Sequence, residues 1–320
     1  MVKSYYLGLD IGGTKCAVLA GTDQMEILDR VQFATETVKG PDYAISKLVS
    51  ATESMIGKFG LENLNTIGIS CGGLLDSRRG IIQSPPNLPG WDNIEIVKML
   101  KEKIDVPVFL QNDANACALA EWRFGAGKGV QNMIFLTFGS GMGAGLILDG
   151  RLYPGTNDLG GEVGHIRLED DGPEGFGKKG SFEGFCSGNG IPQLAREVIR
   201  KKVDNGEHPD ILEKINDMGK LTTKELAEAA NGGDETAREI FKISGSYLGK
   251  GLSLLIDILN PERIVIGSVY ARNPHLFEEA CRKVIEREAI PSAAAVCEVV
   301  PAALGDKVGD YASLSVAMTR

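Results

Sequence analysis

Short apolar runs alternate along the chain with longer segments in which apolar residues recur every three or four positions. The runs predict strands and the longer segments predict amphipathic helices, as in 43–59, where Ile45, Leu48 and Val49 share one face. The pattern is typical of an α/β fold. It predicts strands at 5–11, 16–20, 26–33, 65–70, 106–110, 133–138, 146–148, 264–266 and 296–300, and helices at 43–59, 91–103, 114–121, 193–203, 222–230, 234–259, 277–288 and 306–318.

The segment Gln111–Ala116 joins a predicted strand to a predicted helix. Open α/β sheets bind their ligands at such junctions. Asp113 is therefore a candidate general base. It is also a candidate helix cap, because Asp and Asn are preferred at N-caps. Taken alone, this stretch favours the cap, since caps greatly outnumber catalytic bases.

Glycine clusters follow two of the strands. Gly12 and Gly13 form a tight turn before Thr14 and Lys15, and the run 139–145 forms a second turn between strands. Such turns offer bare N–H groups to phosphate oxygens, although a plain hairpin explains the first turn as well. Neither the Walker spacing nor the GxGxxG fingerprint is present at the first turn. The repeated strand–turn–strand arrangement suggests two phosphate loops.

Two further loops carry candidate polar contacts. Asn87 lies in the proline-rich loop 84–91 beside Trp91, where it is either a sugar-hydroxyl contact or a turn former. His165 is one of three histidines and lies three residues after Glu162 in a glycine-rich segment. A functional and a structural role are evenly balanced for this histidine. The small residues of 244–249 predict close helix packing or contact with a flat ring.

Charge and cysteine content narrow the class of protein. The net charge of −9 argues against nucleic acid or an anionic membrane as the main partner. The six cysteines include no CxxC pair, which favours buried reduced thiols and a cytoplasmic location. No uncharged apolar run reaches the roughly 20 residues of a membrane span, and no signal peptide is visible.

Taken together, five motifs resemble those of the ROK family of sugar kinases and repressors. LGLDIGGTK resembles the first phosphate loop of the family, NDANA its catalytic segment and LTFGSGMGAG its second phosphate loop. GGEVGH, followed by GSFE and CSG, resembles its sugar-binding signature. The motifs occur in the order of the family and span nearly the whole chain.

The resemblance implies the actin-like ATPase (ribonuclease H-like) fold, with two α/β domains and an active-site cleft between them. The expected domains are 1–117, joined by a C-terminal helix near 303–320, and 118–302. The implied activity is transfer of the γ-phosphate of ATP, with Mg²⁺, to the 6-hydroxyl of a hexose or N-acylhexosamine, as in a glucokinase. A homodimer is also implied.

Residue roles follow from the matching motifs. Asp113 would be the general base. The implied sugar contacts are Gly72, Gly73, Asn87, Asn112, Glu162, His165 and Glu183. The implied ATP contacts are Asp10 near the magnesium ion, Gly12, Gly13, Thr14, Lys15, Thr137, Gly139, Ser140 and Gly141 at the phosphates, and Gly267 and Ser268 near the adenosine.

The sequence departs from the family where a structural zinc is common. Glu174, Phe176 and Ser181 stand at the three cysteine positions of the family's CxCGxxGC run. We therefore expect no zinc, with His165 free for sugar and with Phe176 and Phe182 packing inward to order the 170–182 loop. The loops CGGLLD and IGSV also differ from the usual family sequences.

Two alternatives to a kinase remain. The repressors of the family carry a winged helix before the first phosphate loop, and only four residues precede the first predicted strand here. A catalytically silent sugar-binding protein would be favoured by a degraded Asp113 or phosphate loop, and both are intact. The identity of the sugar is not evident from the sequence.

Overall fold

The computed structural model describes residues 4–215 and 217–319. The strands are β1 (Tyr5–Ile11), β2 (Lys15–Gly21), β3 (Ile27–Ala34), β4 (Leu64–Cys71), β5 (Leu75–Asp76), β6 (Ile81–Ile82), β7 (Val108–Asn112), β8 (Met133–Leu136), β9 (Ala144–Leu148), β10 (Arg151–Leu152), β11 (Glu174–Gly175), β12 (Lys178–Lys179), β13 (Arg263–Ile266) and β14 (Glu298–Pro301). The helices are α1 (Pro41–Phe59), α2 (Ile96–Lys101), α3 (Asp113–Phe124), α4 (Phe182–Cys186), α5 (Gly190–Asp204), α6 (Ile211–Lys214), α7 (Thr223–Asn231), α8 (Glu235–Leu259), α9 (Ser268–Arg272), α10 (Glu278–Glu288), α11 (Pro291–Ala294) and α12 (Val308–Ala317).

The chain divides into two compact units, each discontinuous in sequence. The first contains the described residues of 1–129, 145–160 and 303–320, and the second contains those of 130–144 and 161–302. The boundary expected at residue 117 falls inside α3, which runs without a break to Phe124. A helix is a poor place for a domain boundary, because cutting it would break its hydrogen bonds.

The sheet of the first unit aligns the ends of three strands. Its order is β3-β2-β1-β4-β7, with β1, β4 and β7 parallel and β2 antiparallel to both β1 and β3. The register pairs Ile11 with Cys71 and Cys71 with Asn112. Buried residues such as Leu7 and Leu9 form a core with Leu48 of α1. The residues that follow these strand ends therefore meet at one edge, where ligands bind in open α/β sheets.

Helix α12 lies against this sheet at two strand glycines. A Cβ added at Gly68 would be 2.1 Å from the backbone nitrogen of Ala317, and one added at Gly8 would be 2.4 Å from Ser313 Oγ. Glycine in a strand often marks such a close approach of backbone. Helix α12 thus covers the sheet of the first unit at β1 and β4.

The buried Glu121 ties the C-terminal segment to α3. Its carboxylate accepts hydrogen bonds from the backbone nitrogens of Ala126 (2.8 Å), Ala303 (3.2 Å) and Leu304 (2.9 Å). A carboxylate with no exposed surface needs such partners to offset its lost hydration. These contacts fix the point where the chain returns to the first unit.

In the second unit, β8, β13 and β14 run parallel, and the long helix α8 packs on α10. The small residues of α8 allow this contact, because a Cβ added at Gly245 or Gly249 would lie within 2.8 Å of carbonyl oxygens of Phe277 or Cys281. Of the two expectations for 244–249, close packing is confirmed. No helix among the described residues has the length and apolar character of a membrane span.

Two predicted elements differ in the structure. The helix expected over 91–103 is confined to α2, because Ile94 forms a bridge with Ile82 and Trp91 is fully buried in the loop before it. The apolar residues before α2 are therefore buried by separate loop contacts and do not share one helix face. The stretch 170–180, expected to be loop, contains the β11–β12 hairpin.

Candidate active site

The hydrogen bonds at the turn after β7 show which residue caps α3, a role considered for Asp113 besides that of general base. Asn112 is the N-cap of α3: its Oδ1 accepts a hydrogen bond from Ala114 N at 2.9 Å, while its Nδ2 donates to Gly73 O at 3.2 Å. Asp113 is the first helical residue, and its Oδ1 also accepts from Ala114 N, at 2.8 Å. Capping is therefore assigned to Asn112, and no described residue donates a side-chain hydrogen bond to the carboxylate of Asp113.

Two predicted site residues, Gly72 and Asn87, lie near this carboxylate. A Cβ added at Gly72 would lie 3.1 Å from Asp113 Oδ2 and 3.6 Å from Asn87 Nδ2. The backbone of Asn87 in turn packs on the first glycine turn, where its carbonyl oxygen would be 2.4 Å from a Cβ at Gly13. Any side chain at Gly72 would crowd the groups that face it. The first unit thus gathers Gly13, Gly72, Asn87 and Asp113.

Asp113 combines solvent access with a basic carboxylate. Its side chain is exposed, yet the dense protein around it removes part of its hydration and raises its pKa above the ordinary value. The hydrogen bond from Ala114 N opposes the rise without cancelling it. A carboxylate of raised pKa is a better proton acceptor than a free one, provided that it is ionised at the working pH.

Asp10 lies at the end of β1 and is half-buried. Burial raises the pKa of its carboxyl to about 6, with further increases from the negative charges of Asp310 and Asp113. Lys15 and Arg30 act in the opposite direction. Arg30 Nε also contacts both carboxylate oxygens of Asp310, at 3.0 and 2.9 Å. A bound cation would stabilise the ionised carboxylate of Asp10.

The first glycine turn is closed by backbone bonds that leave its side chains outside. Gly12 N donates to Lys15 O at 3.1 Å, and Thr35 Oγ donates to Gly12 O at 2.6 Å. Thr14 and Lys15 are exposed. The turn therefore presents a hydroxyl and a cation next to Asp10, which suits phosphate oxygens and a metal ion.

The second glycine turn, in the second unit, is also held by hydrogen bonds. Thr137 Oγ accepts from Gly143 N at 2.9 Å, and Gly188 N donates to Gly139 O at 2.7 Å. Ser140 is exposed, and the atom nearest to a Cβ added at Gly139 would be Ser268 Oγ, at 3.7 Å. Ser268 follows Gly267 at the end of β13 and has a positive φ of 49°. The structure brings these predicted nucleotide contacts together.

A cavity of about 560 Å³ lies between these loops, within the usual size of small-molecule sites. Its lining adds residues that the sequence did not single out. Asn189 follows the CSG motif, and its backbone nitrogen donates to Ser140 O at 3.3 Å. The only sequence signal for Asn189 was its position directly after the CSG motif. Besides Gly188 of the CSG motif, the added lining residues are Asn189, Pro192, Arg196, Gly219, Lys220, Leu221, Thr222, Val269 and Arg272.

Glu183 connects the second glycine turn to the sugar-signature residues. Its Oε2 accepts from Met142 N at 2.8 Å and would lie 2.8 Å from a Cβ at Gly141. Glu162 and His165 are exposed. The carbonyl oxygen of His165 accepts from Lys178 Nζ at 2.7 Å, and its ring meets the edge of Phe176 at a centroid distance of 6.2 Å.

The loop before Glu183 is ordered by hydrogen bonds. Phe182 is fully buried as expected, but the expectation for Phe176 is wrong: it is 76% exposed and adopts a positive φ in the β11–β12 turn. Ser181 instead caps α4 by accepting from Gly184 N at 3.1 Å. Among residues 4–215 and 217–319, no group of three or more His, Cys, Asp or Glu side chains could hold a metal ion. The absence of zinc stays a prediction.

A model of the ROK family matches residues 6–318. The chain belongs to the ROK family. A glucokinase of Thermotoga maritima is 30% identical to this ROK protein over 322 residues, covering 100% of this chain and 99% of the relative. A xylose repressor of Bacillus spizizenii is 27% identical over 305 residues, covering 94% of this chain and 73% of the repressor.

Solved structures agree with the family assignment. A ROK family glucokinase from Streptomyces griseus, in complex with glucose and AMPPNP, has a TM-score of 0.77 and 28% identity to this chain. The similarity covers 98% of this chain and 99% of that one. The predicted actin-like ATPase fold is confirmed.

Proposed function

We propose that this ROK protein is an ATP-dependent sugar kinase of the glucokinase type, which phosphorylates the 6-hydroxyl of a hexose or N-acylhexosamine. The observation that carries the proposal is the carboxylate of Asp113, exposed at the end of β7 and free of capping because Asn112 caps α3. The kinase relatives support the choice of reaction.

In this reaction Asp113 accepts the proton of the sugar hydroxyl. The sugar oxygen forms a bond to the γ-phosphorus while the bond from that phosphorus to ADP breaks. One well-placed carboxylate suffices, because phosphoryl transfer depends mainly on positioning and charge neutralisation. Asn87, Asn112 and the Gly72-Gly73 backbone would orient the sugar, with Glu162, His165 and Glu183 as further contacts.

The nucleotide contacts follow from the two glycine turns. In the first unit, the residues that would bind phosphate oxygens are Gly12, Gly13, Thr14 and Lys15. In the second unit, they are Thr137, Gly139, Ser140 and Gly141. The cavity beside Gly139 and Ser268 has room for the adenosine. Asp10 would hold Mg²⁺, which neutralises phosphate charge when bound. A half-buried carboxylate with a raised pKa fits this role, since Mg²⁺ usually needs only one or two protein carboxylates.

The test is a phosphorylation assay with Mg-ATP over a panel of hexoses and aminosugars. We expect turnover with at least one sugar. Asp113→Asn should lower kcat by about a hundredfold or more, because it removes the proton acceptor, while sugar binding measured by calorimetry is retained. Asp105→Asn, an exposed site on the loop before β7, serves as the control. Sugar binding without turnover in the wild type would instead favour the catalytically silent protein that the repressor relatives suggest.

A cytoplasmic homodimer is part of the same proposal. All six cysteines are unpaired, as expected in a reducing compartment. Leu254 and Ile258 of α8 are 42% and 72% exposed, and Ile290, whose backbone nitrogen donates to Asp257, is 55% exposed. Exposed apolar residues that lie together commonly mark an interface.

The dimer is tested by Ile258→Asp. Introducing a carboxylate into an apolar interface should shift the mass measured by light scattering from dimer towards monomer. Val38→Asp, at a residue that is 96% exposed in the first unit, should leave the mass unchanged. A monomeric wild type would contradict the proposal.

A further inference from the structure

A second cavity, of about 710 Å³, opens along β7 in the first unit. β7 is the last strand of its sheet, and no described strand pairs with its outer edge. The four residues Val108–Gln111 line the cavity, together with the turn between β5 and β6 and one side of α2. Its volume is within the range of small-molecule sites. None of the proposed sugar or nucleotide contacts lines it.

The floor and the rim of this cavity differ in chemistry. Val108, Leu110 and Leu119 on the floor are buried, each at most 5% exposed, whereas Phe109, which also lines the cavity, is 38% exposed. The rim carries four cations against one carboxylate, that of Glu102, in a chain whose net charge is −9. The rim cations are Arg78, Arg79, Lys98 and Lys101. This local excess of positive charge favours an anionic ligand.

Two of the rim cations are available to a ligand. Lys98 contacts Glu95 at 2.8 Å, and Arg79 lies 4.0 Å from Asp76. Arg78 and Lys101 are exposed and have no charged partner or hydrogen bond within the described part of the chain. Their charges are therefore not neutralised by the protein itself.

A buried amide on the wall supplies a third contact. Gln111 is only 8% exposed, and its Oε1 accepts from Asn112 N at 2.8 Å and Asn115 Nδ2 at 3.1 Å. Its Nε2 donates to no residue that the structure describes. Because Nε2 itself is not buried, it is available to an acceptor atom of a ligand in the cavity.

We propose that this cavity binds a small amphipathic organic anion. The carboxylate, sulfonate or phosphate of the ligand contacts Arg78 and Lys101, an acceptor atom meets Gln111 Nε2, and an apolar body covers Phe109. An inorganic anion would leave Phe109 uncovered, and a neutral apolar ligand would leave the cations without a partner. Because Gln111 also bonds Asn112, the ligand contacts the turn that carries Asp113 from behind the site.

The test uses two fluorescent probes with the full-length protein. Anilinonaphthalene sulfonate is an amphipathic anion, and phenylnaphthylamine is its neutral counterpart without the sulfonate. We expect the sulfonate to bind saturably with one site per chain, about tenfold or more tightly than the neutral probe, and more weakly as salt increases. No sugar or ATP is present, so the outcome is independent of the proposed kinase activity.

Variants locate the binding. Arg78→Ala combined with Lys101→Ala should weaken sulfonate binding about tenfold, because two charged contacts are lost. Lys103→Ala combined with Lys128→Ala changes the net charge equally at exposed lysines outside the cavity and should leave the affinity unchanged. All four residues are exposed, so folding is retained, as circular dichroism will check.

Three results of the binding measurements would overturn the proposal. These are no saturable sulfonate binding, equal affinity for the two probes, and equal weakening by the cavity and control variants. A carboxylate and a phosphate monoester with the same apolar body, used as competitors of the sulfonate, then distinguish the preferred head group. Displacement by either one supports the site, and displacement by neither overturns it.

Discussion

At the scale of single residues, Asp10 couples stability to pH. Its folded-state pKa of about 6 lies above its ordinary value, so the folded protein binds this proton more tightly than the unfolded chain. The free energy of unfolding that Asp10 contributes therefore falls as pH rises from about 4 to about 6. Above that range the ionised carboxylate destabilises the fold by at most about 3 kcal/mol, because each pKa unit corresponds to about 1.4 kcal/mol.

Asp10→Asn should remove this cost. We expect the variant to unfold at higher urea than the wild type at pH 7.5, with the difference shrinking as pH falls towards 4.5. Asp105→Asn, which removes an exposed charge, reports the effect of net charge alone. A constant difference between Asp10→Asn and wild type across this pH range would contradict the assignment.

At the scale of elements, Gly68 determines how closely α12 approaches the sheet. Gly68→Ala would place a Cβ within 2.4 Å of backbone atoms of Ala317 and Ser313, which cannot move without displacing the helix. We expect a loss of about 3 kcal/mol in the free energy of unfolding of the first unit. Gly57→Ala in α1 is the matched control. Nothing lies within 4 Å of its added Cβ, so it should gain about 1 kcal/mol.

The β11–β12 hairpin depends on α5 for its position. Gln193 Nε2 donates to Glu174 O at 2.9 Å and to Asn189 O at 3.2 Å, and Glu174 N donates to Gln193 Oε1 at 3.1 Å. Gly175 of this hairpin packs directly on Glu183, where an added Cβ would be 2.7 Å from that residue's Cβ. Gln193 thus holds the hairpin against a proposed sugar contact.

Gln193→Leu should raise KM for the sugar about tenfold, because two or more hydrogen bonds of roughly 1 kcal/mol are lost, and should change kcat less. Steady-state kinetics with saturating ATP measures both constants. Gln131→Leu makes the same chemical change at an exposed residue of the second unit and should have no effect. An unchanged KM in Gln193→Leu would show that the hairpin holds its position without this amide.

At the scale of the whole molecule, regular local patterns were the most predictable part. The apolar run before Asn112 and the periodicity of 43–59 gave β7 and α1 nearly as observed, since strand and helix periods are local properties. The helix expected over 91–103 was wrong because Trp91 and Ile94 are buried by distant residues. The sequence also could not show that Asn112 rather than Asp113 caps α3, or that Phe176 faces solvent, because both depend on three-dimensional contacts. The proposed roles of the individual site residues stay predictions.

The position of α12 on the first unit also bears on how the protein is made. A ribosome delivers β1, β4 and β7 early. The helix that covers them at Gly8 and Gly68, and the Ala303 and Leu304 amides that Glu121 requires, are synthesised only after the second unit. Until then the nascent sheet keeps an uncovered apolar face, and Glu121 lacks two of its partners. We expect the first unit to mature only after α12 has left the ribosome, with chaperones protecting it in the interval.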